Sequence, residues 1–188
     1  MAQSLSFRPP TTSDLPQPAW TPPTTDWLSG TWHVTNSTLP MWKSKRNVTI
    51  TYKTLPPSTS SPAQDGFEKL DDLVSYQTLS SDKIKTMAGV DTANGKDTGS
   101  WEWRGKGMMT LITSHWEVLG YGELEGEHQF VVTYFSKTLF TPAGVDVYSR
   151  KKEGVPESVL SAIKQTLAGI EHEPIQKLAG EIFEVKRD

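Results

Sequence analysis

The chain reads as an all-β protein: an antiparallel up-and-down barrel of about eight strands with one C-terminal flanking helix. Three observations predict this. Short runs with period-2 alternation, rich in Val, Ile, Thr and aromatics, recur from Gly30 to Arg150. Gly-, Pro- and Asn-containing turn signals separate them. Helical spacing enters only after Arg150. Serial antiparallel strands manage their edges best by closing on themselves, and about eight leave an interior wide enough for side chains or one small ligand.

Length and composition bound the rest. The 188 residues suit one domain with a tail. There is no cysteine, so disulfide scaffolds, thiol catalysis and zinc-thiolate or iron–sulfur sites are excluded. A net charge of −3 gives no sign of a nucleic-acid partner. No run approaches a membrane span, and the first residues show no signal-peptide h-region, so a cytoplasmic location is expected.

Residues 1–26 hold six of the thirteen prolines. Proline fixes φ and lacks a donor, so this stretch is expected to be a disordered, extended arm. The barrel domain then occupies residues 27–188. It opens at Leu28–Thr38, where β-branched residues dominate. A second strand runs over Lys45–Thr54, with Val48, Ile50 and Tyr52 on one face. Pro56–Pro62 is a loop by composition. Leu70–Leu79 follows, with Val74 and Tyr76 sharing a face. Ile84–Ala93 is a weaker strand whose apolar face is Ile84, Thr86, Ala88 and Val90.

Gly99–Gly122 holds three of the seven tryptophans and reads as a hairpin turning at Gly105-Lys106-Gly107. Gln129–Lys137 has Phe130, Val132 and Tyr134 on one side and Val131, Thr133 and Phe135 on the other. Val145–Arg150 sets Val145 and Val147 against Asp146, Tyr148 and Arg150. A single amphipathic helix is predicted over about 156–170, with Pro156 in its first turn and Pro174 ending the pattern. Ile182, Phe183 and Val185 fit a last short strand or a helical turn.

Gly30-Thr31-Trp32 resembles the Gly-x-Trp that opens the first strand of lipocalins and the wider calycin group. Arg150 resembles the basic residue that packs across that tryptophan and closes the barrel bottom. Trp-Arg-Gly-Lys-Gly at 103–107, Ser-His-Trp-Glu-Val-Leu-Gly at 114–120 and Tyr-Ser-Arg-Lys-Lys at 148–152 are similar to small intracellular lipocalin-like proteins of filamentous fungi. The likeness spans roughly residues 28–170. It implies reversible binding of a small, mostly apolar molecule, a polyketide-, terpenoid- or alkaloid-type intermediate of secondary metabolism. The alternative is a cofactor-independent cyclase or isomerase on the same fold, which would hold a flexible substrate folded while a few donors polarise it.

Parity sets the candidate residues. Trp101 and Trp103 share one face of the hairpin, and Glu102 and Arg104 the other. Inward tryptophans would make an aromatic wall for a flat ligand; inward Glu102 and Arg104 would make an ion pair able to orient a carboxylate or enol. The apolar face usually wins the interior. Trp32, Trp101, Trp103, Trp116, Phe130 and Val132 are therefore the candidate ligand-binding residues. His115 suits acid–base work at neutral pH, and Glu117 could orient its ring. An inward Tyr134 could donate to a ligand carbonyl. His115, Tyr134, Glu102 and Arg104 are the candidate catalytic groups, although a strand histidine hydrogen-bonded across the sheet is equally ordinary. No metal-ligand set and no cofactor fingerprint is present.

Overall fold

A computed structural model describes residues 5–56, 67–95, 98–125 and 128–188. Beyond Pro56 the expected Pro-rich loop lies outside the described residues. Eight antiparallel strands close a barrel: β1 (Gly30–Ser37), β2 (Lys45–Leu55), β3 (Lys69–Thr78), β4 (Ser81–Ala93), β5 (Ser100–Gly105), β6 (Thr113–Leu124), β7 (His128–Phe135) and β8 (Gly144–Ser149). Closure rests on β1. Its first half, Gly30–His33, pairs with β2, and its second half, His33–Ser37, pairs with β8. A short β9 (Phe183–Glu184) takes the edge of Asn36 and Ser37 that β2 leaves unpaired.

The C-terminal helix is two helices, not one. α1 (Thr25–Leu28) is a single turn before the barrel; α2 (Glu157–Ala168) and α3 (Glu173–Glu181) follow it. Pro174 starts α3, where its missing N–H costs nothing, instead of merely ending α2. No helix among the described residues is long and apolar enough to cross a membrane.

Two cores result. One fills the barrel, with Trp32, Val34, Ile50, Tyr52, Leu70, Val74, Trp101, Trp116 and Val131. The other lies on the outer face of β6–β8, where Phe130, Val132, Tyr134, Val145 and Val147 pack beneath Leu160, Ile163, Leu167 and Ile175. A strand buried on both faces has no polar side to mark its orientation. β4 shows the opposite difficulty: Gly89, Asp91 and Ala93 are its buried face, while Ile84 and Thr86 are exposed. Its expected parity is reversed.

The closed end carries the Gly-x-Trp. Trp32 is fully buried and donates its indole N–H to the Leu28 carbonyl at 2.7 Å. The Arg150 guanidinium lies 3.6 Å over the Trp32 ring and donates to the carbonyls of Trp27, Ser29 and Thr31. Gly30, at φ +96°, leaves room for Arg150; a Cβ there would sit 3.1 Å from its Nη1.

The arm expected to be disordered packs along the outer wall from Leu5 onward. Phe7 bridges Gly120, whose missing side chain admits the ring, and the Arg8 N–H donates to Leu119 O at 2.9 Å. Trp20 meets Tyr121 edge-on at 5.9 Å. Prolines deny the arm a ladder of its own, so side chains tie it down.

Candidate functional site

The hairpin presents its tryptophans inward. Trp101 and Trp116 are register partners on β5 and β6, stacked at 5.9 Å. Tyr52 of β2 stacks on Trp116 at 5.7 Å, and Phe135 of β7 does so at 6.4 Å. The turn is longer than expected. β5 ends at Gly105 and β6 starts only at Thr113, so Lys106–Ile112 forms a loop with Met108 and Leu111 fully exposed.

Above the ring stack the barrel holds a cavity of about 250 Å³. Trp42, Tyr52, Trp103, Trp116, Phe135 and Tyr148 supply its aromatic walls, and Met41, Met87 and Met109 its adaptable ones. The mouth opens between the segments Leu39–Trp42, Met109–Ser114 and Thr138–Thr141. The volume sits near the lower edge of ligand sites, which run from roughly 300 to 1,000 Å³.

Three carboxyl groups point into this apolar interior, each beside an indole N–H. Asp146 accepts from Ser37 Oγ and from Trp42 Nε1 at 3.1 Å. Asp91 Oδ1 accepts from Trp116 Nε1 at 2.7 Å. Asp72 is the register partner of Gly89, against which the Trp103 indole lies; a Cβ at Gly89 would meet the Trp103 Nε1 at 2.2 Å. Burial pushes Asp146 up to about 7 despite its two donors. Burial and the neighbouring Asp71 push Asp72 to about 7 as well. Burial and Asp72 together hold Asp91 well above the carboxylate range. Among the described residues no Lys, Arg or His lines the cavity.

The expected site residues divide. Trp103 and Trp116 line the cavity, and Trp101 lies in the core against Trp116. Trp32 sits at the closed end, beneath Arg150. Phe130, Val132 and Tyr134 are turned the other way, into the outer core under α2 and α3. Tyr134 therefore does not reach the cavity. Glu102, Arg104 and His115 are also outside the barrel, on the face opposite the tryptophans. Arg104 is exposed and donates to Thr110 O at 3.3 Å.

His115 instead belongs to an outer-wall cluster. Its Nδ1 lies 2.7 Å from Glu102 Oε1 and its Nε2 3.6 Å from Glu117 Oε1. Glu117, fully buried under the arm, also takes Arg8 at 2.8 Å and the Thr11 N–H at 2.9 Å. The Glu117 hydrogen bond, then Glu102, raise the His115 imidazole against its partial burial. Burial alone would raise Glu117, but His115, Thr11 and Arg8 outweigh it and hold the carboxyl below the glutamate range. A groove beside this cluster, between Leu111 and Leu139, shares Ile112, Thr113, Ser114, Thr138 and Phe140 with the cavity mouth.

Asp72, Asp91, Asp146, Tyr52, Tyr148 and Trp42 were not among the expected site residues. Parity could have flagged Asp72, two residues before Val74 on the same face. Nothing comparable marked Asp91, whose strand alternates in the misleading register.

The chain superposes on lobster apocrustacyanin A1 with a TM-score of 0.57 and 9% identity, covering 85% of this chain and 77% of that one. It superposes on the siderocalin Ex-FABP with a TM-score of 0.53 and 10% identity, covering 86% and 94%. The fold is lipocalin-like. In sequence the chain is 25% identical over 185 residues to "Botcinic acid biosynthesis cluster B protein 12" of Botryotinia fuckeliana (strain B05.10), covering 93% of this chain and 80% of the relative. No protein-family model matches.

Proposed function

We propose that this lipocalin-like barrel binds a small, mostly apolar molecule reversibly in its interior, and that the molecule is an intermediate of a fungal biosynthetic pathway. The observation that carries the reading is the cavity itself: seven aromatic side chains, Phe140 at the mouth included, around about 250 Å³, open at one end. Burying an apolar ligand there releases its hydration at about 25 cal/mol per Å². The pathway part rests on the relative named for botcinic acid biosynthesis.

Catalysis is the second reading, favoured by one feature: a buried carboxyl poised near neutrality, Asp72, on the wall of an otherwise apolar cavity. Such a group can give or take a proton at neutral pH while the aromatic walls fold the substrate.

Native mass spectrometry of the protein from its own source tests the first reading, together with titration by a neutral apolar dye such as Nile red. Retention of an unchanged small molecule, and dye binding that quenches the cavity tryptophans, is expected. A co-purifying molecule that is transformed on incubation would favour the second reading. A protein that takes up no dye and carries no molecule would sink both.

A further inference from the structure

We propose that the cavity selects molecules with a basic nitrogen, whose protonated amine pairs with Asp72 while an apolar body lies against the aromatic walls. The proposal rests on the small-molecule reading above and names its ligand class.

The starting point is an unmet acceptor. Asp72 is 6% exposed and lines the cavity. Its Oδ1 is buried with no hydrogen-bond partner. A buried unsatisfied acceptor is costly, more so when charged. Asp146 has no such vacancy, since Ser37 and Trp42 take both its oxygens. Asp91 also keeps one oxygen unpartnered, but it does not line the cavity. Tyr148, which does, has a buried hydroxyl without a partner. The cavity therefore offers an acceptor with a hydroxyl in the same walls.

Charge then narrows the ligand. The titratable groups around Asp72 are Asp71, Asp91, Lys106, Tyr52 and Tyr148. Lys106 is exposed and pairs with Asp71 outside the barrel, so among the described residues no cation meets Asp72 from within. An anionic ligand would be repelled by Asp72 whenever that carboxyl is ionised. A neutral alcohol would fill the acceptor and leave the negative charge uncompensated. An ammonium does both, and charge-assisted hydrogen bonds are roughly twice as strong as neutral ones. The indoles of Trp42, Trp103 and Trp116 add ring faces that attract organic cations.

Three probes sharing one skeleton test this: 2-(1-naphthyl)ethylamine, 2-(1-naphthyl)ethanol and 1-ethylnaphthalene, titrated calorimetrically. Near pH 8 the amine is expected to bind about tenfold or more tightly than the alcohol, as one charge-assisted bond implies. The advantage should shrink toward pH 5, where Asp72 is protonated and the amine stays charged. Asp72→Asn should abolish it, bringing the amine and the alcohol to within about twofold of each other, because the isosteric amide keeps the cavity's shape and removes the charge. If the hydrocarbon binds and the amine gains nothing over the alcohol, this proposal falls and the small-molecule reading survives. An amine preference that persists in Asp72→Asn also overturns it. If none of the three binds, both fall together.

Discussion

Glu117 and Asp72 are both buried carboxyl groups, and the two sides of one barrel wall treat them oppositely. Glu117, outside, is surrounded by donors and charge: Arg8, His115 and the Thr11 N–H. Its acidity is increased although burial opposes it. Asp72, inside, has an indole close by and no cation among the described cavity residues, and its carboxyl rises to about 7. Burial alone therefore does not set a carboxylate's state; the donors brought with it do. Arg8 and Thr11 reach Glu117 from the arm, far away in sequence, and His115 from its own strand. The groups around Asp72 come only from the strands that form the barrel. The outer cluster pairs its charges, although the buried Arg8 guanidinium keeps nitrogens without a hydrogen-bond partner. The inner carboxyl has no counter-charge among the described residues where a ligand can reach.

Removing the outer carboxylate should have the largest effect. Glu117→Gln strands Arg8, which is 3% exposed, and is expected to cost about 3 kcal/mol in chemical denaturation, the scale of breaking a buried ion pair. It should also change the fluorescence of Trp20, over which Arg8 lies at 4.8 Å. A loss under about 1 kcal/mol would mean the outer cluster is no more structural than a surface pair.

Gly89→Ala comes next. The new methyl would collide with Trp103, and overpacking of this kind costs about 2 kcal/mol. The displaced indole lines the cavity, so affinity for an apolar dye should fall with stability. A variant with full affinity would show that Trp103 is not needed to shape the cavity.

The two carboxyl groups should also bend the stability–pH curve in opposite directions. Asp146, 3.8 in its ordinary state and about 7 when folded, binds its proton more tightly in the folded chain. Its contribution is full below about 4 and is lost as pH rises to about 7. Glu117, lowered on folding, stabilises above the ordinary glutamate range and loses that contribution as pH falls through its folded value. Asp146→Asn should flatten the decline between pH 4 and 7, and Glu117→Gln should flatten the acid limb. Parallel curves for wild type and Asp146→Asn would remove the case for a protonated interior.

The smallest effect is expected from His115→Ala. The ring is outside the barrel, so affinity of the cavity for a neutral dye should stay within about twofold and stability within about 1 kcal/mol. A tenfold loss of affinity would mean that the outer groove, which meets the cavity mouth at Ile112 and Phe140, is part of the binding site.

The hairpin's orientation was legible because β5 alternates cleanly, with Trp101 and Trp103 against Glu102 and Arg104, and apolar surface goes inside. β7 and β8 were not legible, because the helix pair buries their outer faces too. Phe130, Val132 and Tyr134 carry the same apolar signal as Val131 and Phe135, and nothing local ranks the two faces. β4 misled, because Ile84 and Val90 mark the side away from the interior while Gly89 and Asp91 mark the inside. Glycine there makes room for Trp103, a requirement that exists only once β5 lies alongside.

By itself the sequence determined the strand succession and the Gly-x-Trp and Arg150 at the closed end, and it favoured inward tryptophans in the hairpin without excluding the opposite face. These rest on period, turn chemistry and hydrophobicity, which act over a few residues. Tertiary structure decided which polar groups face the ligand space. Asp72 met Trp103, and Glu117 met Arg8, only when segments remote in the chain came together. A carboxyl group's charge depends on such neighbours more than on its own place in a strand.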